Sequence, residues 1–226
     1  MQRSRQNFAY HLVRFCSTPF FRTLFFLLTR CQVNGQDNVP RDGPLLIVAN
    51  HLSSADQYLL YINVKRKMIF MAKEEIFRSP VTRVLATSFG ALPIYRKGIN
   101  RKTLSEAYLA LDNGFSLAMF PEGSRSKTAQ LGPAMPGSAL IALDKNVPIL
   151  PIGIIGTELR EKGLLWCFFH RPRVTINIGP TFKPTFTQQK PSKQELKEVA
   201  DLIMKHIARL LPPKYRGYYA TEKTEE

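Results

Sequence analysis

Cysteine, histidine and acidic residues are all scarce in this chain of 226 residues. The three cysteines, Cys16, Cys31 and Cys167, form no C-x-x-C spacing and leave one over. That argues against a disulfide framework and a zinc site, and it is compatible with a reducing compartment. The four histidines, His11, His51, His170 and His206, are too scattered to suggest a metal cluster, so no metal is expected. In the first 30 residues the longest apolar run falls far short of the roughly 20 residues needed to span a bilayer. No G-x-S-x-G elbow is present, which leaves a serine nucleophile without its usual platform. No nucleic-acid-binding motif occurs either, and the basic residues are spread among apolar elements instead of clustering on one helix.

The shortage of acid is the strongest compositional signal. Against 32 Lys and Arg stand 17 Asp and Glu, giving a net charge of +15 and a pI near 10.0. Such a balance calls for an anionic partner: nucleic acid, an anionic membrane surface or a phosphorylated substrate. A hydrophobic content of 44% with 11% aromatic residues excludes a largely disordered chain. The length suits one domain with a full core, or one domain with an appendage.

Residues 1–30 mix Phe8, Tyr10, Phe15, Phe20, Phe21 and the run Leu24 to Leu28 with Arg3, Arg5, Arg14, Arg22 and Arg30. Two short amphipathic helices broken near Pro19 and lying in a membrane interface are expected, with aromatics buried and arginines meeting anionic headgroups. The alternative is a helical hairpin packed on a core. Composition turns polar from Gln32 to Gly43, which sets the expected boundaries: residues 1–42 a membrane-associating segment and linker, 43–213 the main domain, and 214–226 a basic, aromatic and then polar tail.

The apolar run Leu45 to Ala49 predicts a strand buried on both faces. It runs into His51, and Asp56 follows in the first turn of a helix expected over Ser54 to Val64. A turn between strand and helix lets the carboxylate fold back onto the imidazole. His can then act as a general base while Asp fixes its tautomer. The other reading is a helix-capping Asp beside a loop His. Further strands are expected at Lys67 to Ala72, delivering Lys73, at Ala91 to Tyr95, delivering Arg96, and at Phe115 to Phe120. The last leads into Pro121-Glu122-Gly123-Ser124-Arg125-Ser126, a loop suited to a bidentate phosphate contact, or a plain turn with a surface ion pair. Helices are expected over Val81 to Ser88, Asn100 to Asp112 and Gly137 to Lys145. The strand from Val147 to Gly153 contains prolines, which predicts a place near an edge or bend. Val174 to Ile178 forms another strand, and a capping box at Ser192 and Glu195 opens a helix to Leu211. Strands alternating with helices make this an α/β fold with a mostly parallel central sheet flanked by helices, preceded by the N-terminal amphipathic segment.

Four stretches, in order, resemble the glycerolipid acyltransferase family, whose best-known members are the 1-acylglycerol-3-phosphate acyltransferases. They are His51-x4-Asp56, Gly90-Ala91-Leu92-Pro93-Ile94-Tyr95-Arg96, Phe120 to Ser126 with Ser124 where many members carry threonine, and Val147-Pro148-Ile149-Leu150-Pro151. The resemblance covers residues 45 to 180. It implies transfer of a fatty acyl group from acyl-CoA or acyl carrier protein to the sn-2 hydroxyl of lysophosphatidic acid, giving phosphatidic acid, with no cofactor. Other acceptors, such as glycerol 3-phosphate or another lysolipid, and a lipid serine hydrolase are the alternatives. By the same resemblance His51 is the base and Asp56 its orienting partner. Lys73, Arg96 and Arg125 are the candidate phosphate contacts, and Glu122, Gly123 and Ser124 line the acceptor pocket. The implied partners are the two substrates and an anionic membrane surface, without nucleic acid, and the implied place is monotopic, at the cytoplasmic face. Ala134-Met135-Pro136-Gly137-Ser138 departs from the family, where many members carry a lysine before the glycine.

Overall fold

Leu45–Ala49 forms β2, and all five residues are fully buried. Leu45, Ile47 and Ala49 belong to one hydrophobic cluster, whereas Leu46 and Val48 belong to another. Alternate side chains of a strand point to opposite faces, so β2 is covered on both sides, as its unbroken apolar run predicts. The computed structural model describes residues 18–80, 83, 86, 91–94, 101–184 and 191–220.

Among the described residues six further strands stand around β2: β1 (Arg30–Asn34), β3 (Met68–Lys73), β4 (Ala91–Ile94), β5 (Ser116–Met119), β6 (Ile149–Ile155) and β7 (Arg173–Ile178), in the order β1-β7-β6-β2-β5-β3-β4. Every pairing is parallel except β6 with β7. Among the described residues, helical cover comes from α1 (residues 18–28), α2 (Asp56–Asn63), α3 (Arg101–Asp112), α4 (Gly137–Lys145), α5 (Leu164–His170) and α6 (Lys193–Arg209). The molecule is thus an α/β sheet with helical cover. The capping box of α6 is formed as expected: Ser192 Oγ accepts from Glu195 N at 3.2 Å, and Glu195 Oε2 accepts from Ser192 N at 2.8 Å.

The sheet begins before the expected boundary at residue 43. Strand β1 lies within the stretch read as segment and linker, and it pairs with β7 from Arg30↔Arg173 to Asn34↔Asn177. The chain between β1 and β2 is also pinned. Arg66, 5% exposed, donates to Pro40 O at 2.9 Å, to Gly43 O, and to Ser116 Oγ at 3.0 Å. In the tail, Tyr215 and Tyr219 are buried in the core cluster that also holds α6 residues. The tail to residue 220 is therefore packed onto the domain.

Strand β6 is not at an edge; it lies between β7 and β2. Proline is tolerated there because of where its missing N–H would point. The Pro151 carbonyl accepts from Gly179 N at 2.9 Å, on the β7 side, just past the last ladder pair Ile152↔Ile178. The pairing with β2 is untouched, and the one bond forfeited is the return bond to Gly179 at the end of the β7 ladder. The expected helix from Val81 to Ser88 falls almost wholly outside the described residues, as do residues 1–17, and Pro19 sits in the first described turn of α1.

Candidate active site

Strands β2, β5, β3 and β4 are mutually parallel, so their C-terminal ends gather the loops that follow them at one end of the sheet. Because β2 and β5 are neighbours, the loops carrying His51 and Glu122 lie side by side.

Asn50 fixes the exit from β2. Its Nδ2 donates to Ile154 O at 2.8 Å, and its Oδ1 accepts from Ile154 N at 2.7 Å, so a side-chain amide continues the β2–β6 ladder beyond Ala49↔Ile152. The chain can then leave the sheet at His51. Asn50→Ala removes both bonds and leaves two buried main-chain groups unpaired. We expect a loss of about 2–4 kcal/mol, seen as a fall in Tm of roughly 5–15 °C; a Tm within 2 °C or so of wild type would show the tie to be unimportant.

The expected fold-back of Asp56 onto His51 is present. His51 Nδ1 lies 2.8 Å from Asp56 Oδ2, and the same oxygen accepts from Leu52 N at 2.7 Å and Ser53 N at 2.8 Å. Asp56 is completely buried, at the start of α2. Two main-chain donors hold the carboxylate in place, and an acceptor facing Nδ1 selects the Nδ1–H tautomer, leaving the Nε2 lone pair as the base. The imidazole stacks on Phe120, with ring centroids 3.9 Å apart and planes 11° off parallel. Its side chain remains 15% exposed, so the base has access to a reactant.

Glu122 braces this loop. Its Oε1 accepts from His51 N at 3.0 Å and its Oε2 from Gly132 N at 3.1 Å, while Ser126 N donates to His51 O at 2.7 Å. The Met135 N–H donates to Pro121 O at 2.8 Å. Behind these, the tail holds the 130–135 stretch: Leu131 N donates to Tyr215 O at 2.9 Å and Tyr218 N to Leu131 O at 3.0 Å. Gly123 sits at φ 69°, in the left-handed region, and a Cβ there would come within 3.3 Å of Met135 Cγ.

Burial pushes the Glu122 carboxyl above its ordinary value of 4.5; the N–H groups of Gly132 and His51 and the charge of His51 pull it back, and Asp56 adds a small push upward. The folded chain therefore holds this proton to a higher pH than the unfolded chain does. The stability contributed by that difference is fully present below 4.5 and is lost as pH rises through the raised value. Glu122→Gln cannot ionise. Its stability, measured by urea unfolding at several pH values, is expected to fall less steeply than wild type above pH 4.5; identical slopes would contradict the shift.

Known proteins similar to this chain point to one family. The acyltransferase family profile matches residues 30–155, from the start of β1 to the end of β6. The chain belongs to the acyltransferase family. Among curated relatives, the chloroplastic 1-acyl-sn-glycerol-3-phosphate acyltransferase BAT2 of Brassica napus is 30% identical over 162 residues, covering 69% of this chain and 44% of that protein. A 1-acyl-sn-glycerol-3-phosphate acyltransferase of Streptococcus pneumoniae is 30% identical over 177 residues, covering 77% of this chain and 63% of its own length. The crystal structure of the 1-acyl-sn-glycerophosphate acyltransferase PlsC of Thermotoga maritima shares the fold, with a TM-score of 0.65 at 24% identity over 90% of this chain and 79% of that one. The chain spans about half the length or less of the first curated relatives it matches.

Within this acyltransferase domain, of the remaining expected site residues, Lys73 lies at a strand end and Ser124 and Arg125 lie on the loop after β5. Lys73 ends β3, in register with Ile94 of β4. Strand β3 stands two places from β2, about 10 Å away at ordinary strand spacing. Arg96 and the motif glycine Gly90 lie outside the described residues, as does Tyr95. Ser124 and Arg125 are exposed on the loop after β5. The roles of Asn50 and Gly132, and the main-chain ties of the tail to Leu131, were not among the expected site contacts. Each acts across 70 residues or more of chain or through a main-chain group, and no local pattern marks such a contact.

Proposed function

We propose that this protein transfers a fatty acyl group from acyl-CoA or acyl carrier protein to the sn-2 hydroxyl of 1-acylglycerol 3-phosphate, forming phosphatidic acid. The observation that carries this reading is the His51–Asp56 pair, 2.8 Å apart, with the carboxylate anchored by two main-chain N–H groups. His51 Nε2 removes the proton of the acceptor hydroxyl as its oxygen bonds to the thioester carbonyl carbon. The tetrahedral adduct collapses, the carbon–sulfur bond breaks, and the imidazolium returns the proton to the departing thiolate. A thioester is already an activated acyl donor, so the reading needs neither an enzyme nucleophile nor a cofactor.

Ser53 is a poor nucleophile for the hydrolase alternative. It is fully buried, and its Oγ accepts from Ala55 N at 3.3 Å. In the acyl-transfer reading, Lys73, Arg96 and Arg125 take the acceptor phosphate, since cations at neighbouring strand ends suit a dianion. Glu122, Gly123 and Ser124 shape the pocket between. The protein works as a monotopic enzyme at the cytoplasmic face of an anionic membrane; among the described residues no helix is long and apolar enough to cross one.

The test is thiol release and lipid product formation by purified protein, pairing acyl-CoA and acyl carrier protein donors with 1-acylglycerol 3-phosphate, glycerol 3-phosphate and lysophosphatidylcholine. Release that depends on 1-acylglycerol 3-phosphate, with phosphatidic acid as product, is expected. Equal release without any acceptor would instead identify a thioesterase.

A further inference from the structure

Helix α5 has no role in the reading above. Its sequence, Leu164-Leu165-Trp166-Cys167-Phe168-Phe169-His170, turns Cys167 inward at 1% exposure. Leu165, Phe168 and Phe169 are 78%, 51% and 76% exposed. Their spacing of i, i+3 and i+4 puts all three on one helical face. A second exposed apolar group ends α1, where Phe26 and Leu27 stand out while Phe25 and Leu28 pack inward. The two groups adjoin: Arg171 Nη2 donates to Phe26 O at 2.7 Å, its guanidinium lies 5.2 Å from the Phe26 ring centroid, and Arg30 N donates to Pro172 O at 2.9 Å.

Cations rim this surface. Between α1 and the α5–β7 turn lies a cleft of about 610 Å³ lined by Arg22, Arg30, Arg171 and Arg173, with no acidic residue among the described residues that line it. Lys162 sits 4.8 Å over the ring of Trp166. The strand directions also place the surface. Strand β7 runs antiparallel to β6, and β1 is parallel to β7, so both begin at the end of the sheet where β2 delivers His51.

We propose that α5 and the C-terminal end of α1 form one docking surface for an anionic lipid bilayer. The apolar side chains enter the interface, Trp166 sits at headgroup depth, and the arginines meet lipid phosphates. Charge decides against a second copy of the chain as occupant, because apposing two such faces would bring their arginine rims together. This surface rests on the monotopic placement proposed above but not on the acyl-transfer chemistry, so loss of vesicle binding and loss of acyl transfer are separate failures. Its place beside the His51 end of the sheet would let a lipid acceptor reach the base from the membrane.

Trp166 is the only tryptophan in the chain, so its fluorescence reports on α5 alone. With vesicles of phosphatidylcholine and phosphatidylglycerol, its emission shifts to the blue and is quenched when brominated lipid is included. Combining Leu165→Ser, Phe168→Ser and Phe169→Ser lowers vesicle partitioning by at least about tenfold with Tm unchanged, while Leu109→Ser on α3 has no effect. Three outcomes overturn the proposal: unquenched Trp166 in wild type, wild-type partitioning by the triple variant, or a dimer in solution that the triple variant abolishes.

Discussion

Replacing His51 with alanine is expected to lower kcat/KM for acyl transfer by about 10²–10⁴-fold while leaving the fold in place. The separation follows from which ties run through the ring. The His51 N–H to Glu122 and the Ser126 N–H to His51 O are main-chain bonds and survive the substitution. Asp56 Oδ2 keeps the Leu52 and Ser53 donors. What is lost structurally is the stack on Phe120, worth about 1 kcal/mol, and the Nδ1–H bond to buried Asp56, worth about 1.5–3 kcal/mol, together roughly 5–15 °C in Tm. Kinetics of thiol release together with thermal unfolding measure both effects. Activity within a few-fold of wild type would remove His51 from the chemistry, and failure of the variant to unfold cooperatively would make it a structural residue.

The parts of this site that were legible in the sequence are those whose physics is local. An apolar run between turn residues marks a doubly covered strand wherever it occurs, and β2 and β5 are of that kind. The His51–Asp56 spacing is local too, because five residues suffice for a strand-to-helix turn to fold back. The polar edge strand β1 was not legible: four of its five residues are exposed, and its partner strand is more than 130 residues away in sequence. Strand β6 misled for a related reason. The cost of Pro151 depends on which neighbour its missing N–H would face, and that is a property of the sheet, not of the strand.

Helix α5 was hidden by its shortness. Seven residues are too few for a 3.6-residue period to stand out from a merely apolar run. The bracing of the catalytic loop was hidden by distance: Glu122 reaches Gly132 and the His51 amide, and Asn50 reaches Ile154, 104 residues on. A sequence scan finds the reacting groups because their chemistry is rare. The groups that hold them are common side chains and main-chain amides, visible only once the sheet has brought the loops together.

Asp56→Asn is the sharper probe of the pair, because all three donors converge on one oxygen. Oδ2 takes His51 Nδ1 and the two amides, whereas Oδ1 is buried with no hydrogen-bond partner among the described residues. An asparagine that keeps its carbonyl at the Oδ2 position retains every one of those bonds. The opposite orientation would aim an NH2 group at two main-chain N–H donors, so the first is preferred. The retained carbonyl still selects the Nδ1–H tautomer, and the unpaired NH2 costs about 1–3 kcal/mol of stability. What disappears is the negative charge facing the imidazolium that forms in the transition state. At an effective dielectric of about 20, a unit charge 4 Å away is worth about 4 kcal/mol, which sets a ceiling near 10³-fold. We therefore expect kcat to fall about 10²–10³-fold with KM within a few-fold of wild type, since Asp56 is completely buried behind the ring and touches no substrate. A loss nearer 10⁴-fold would mean that the tautomer itself has flipped, and unchanged turnover would sink the assignment of the pair.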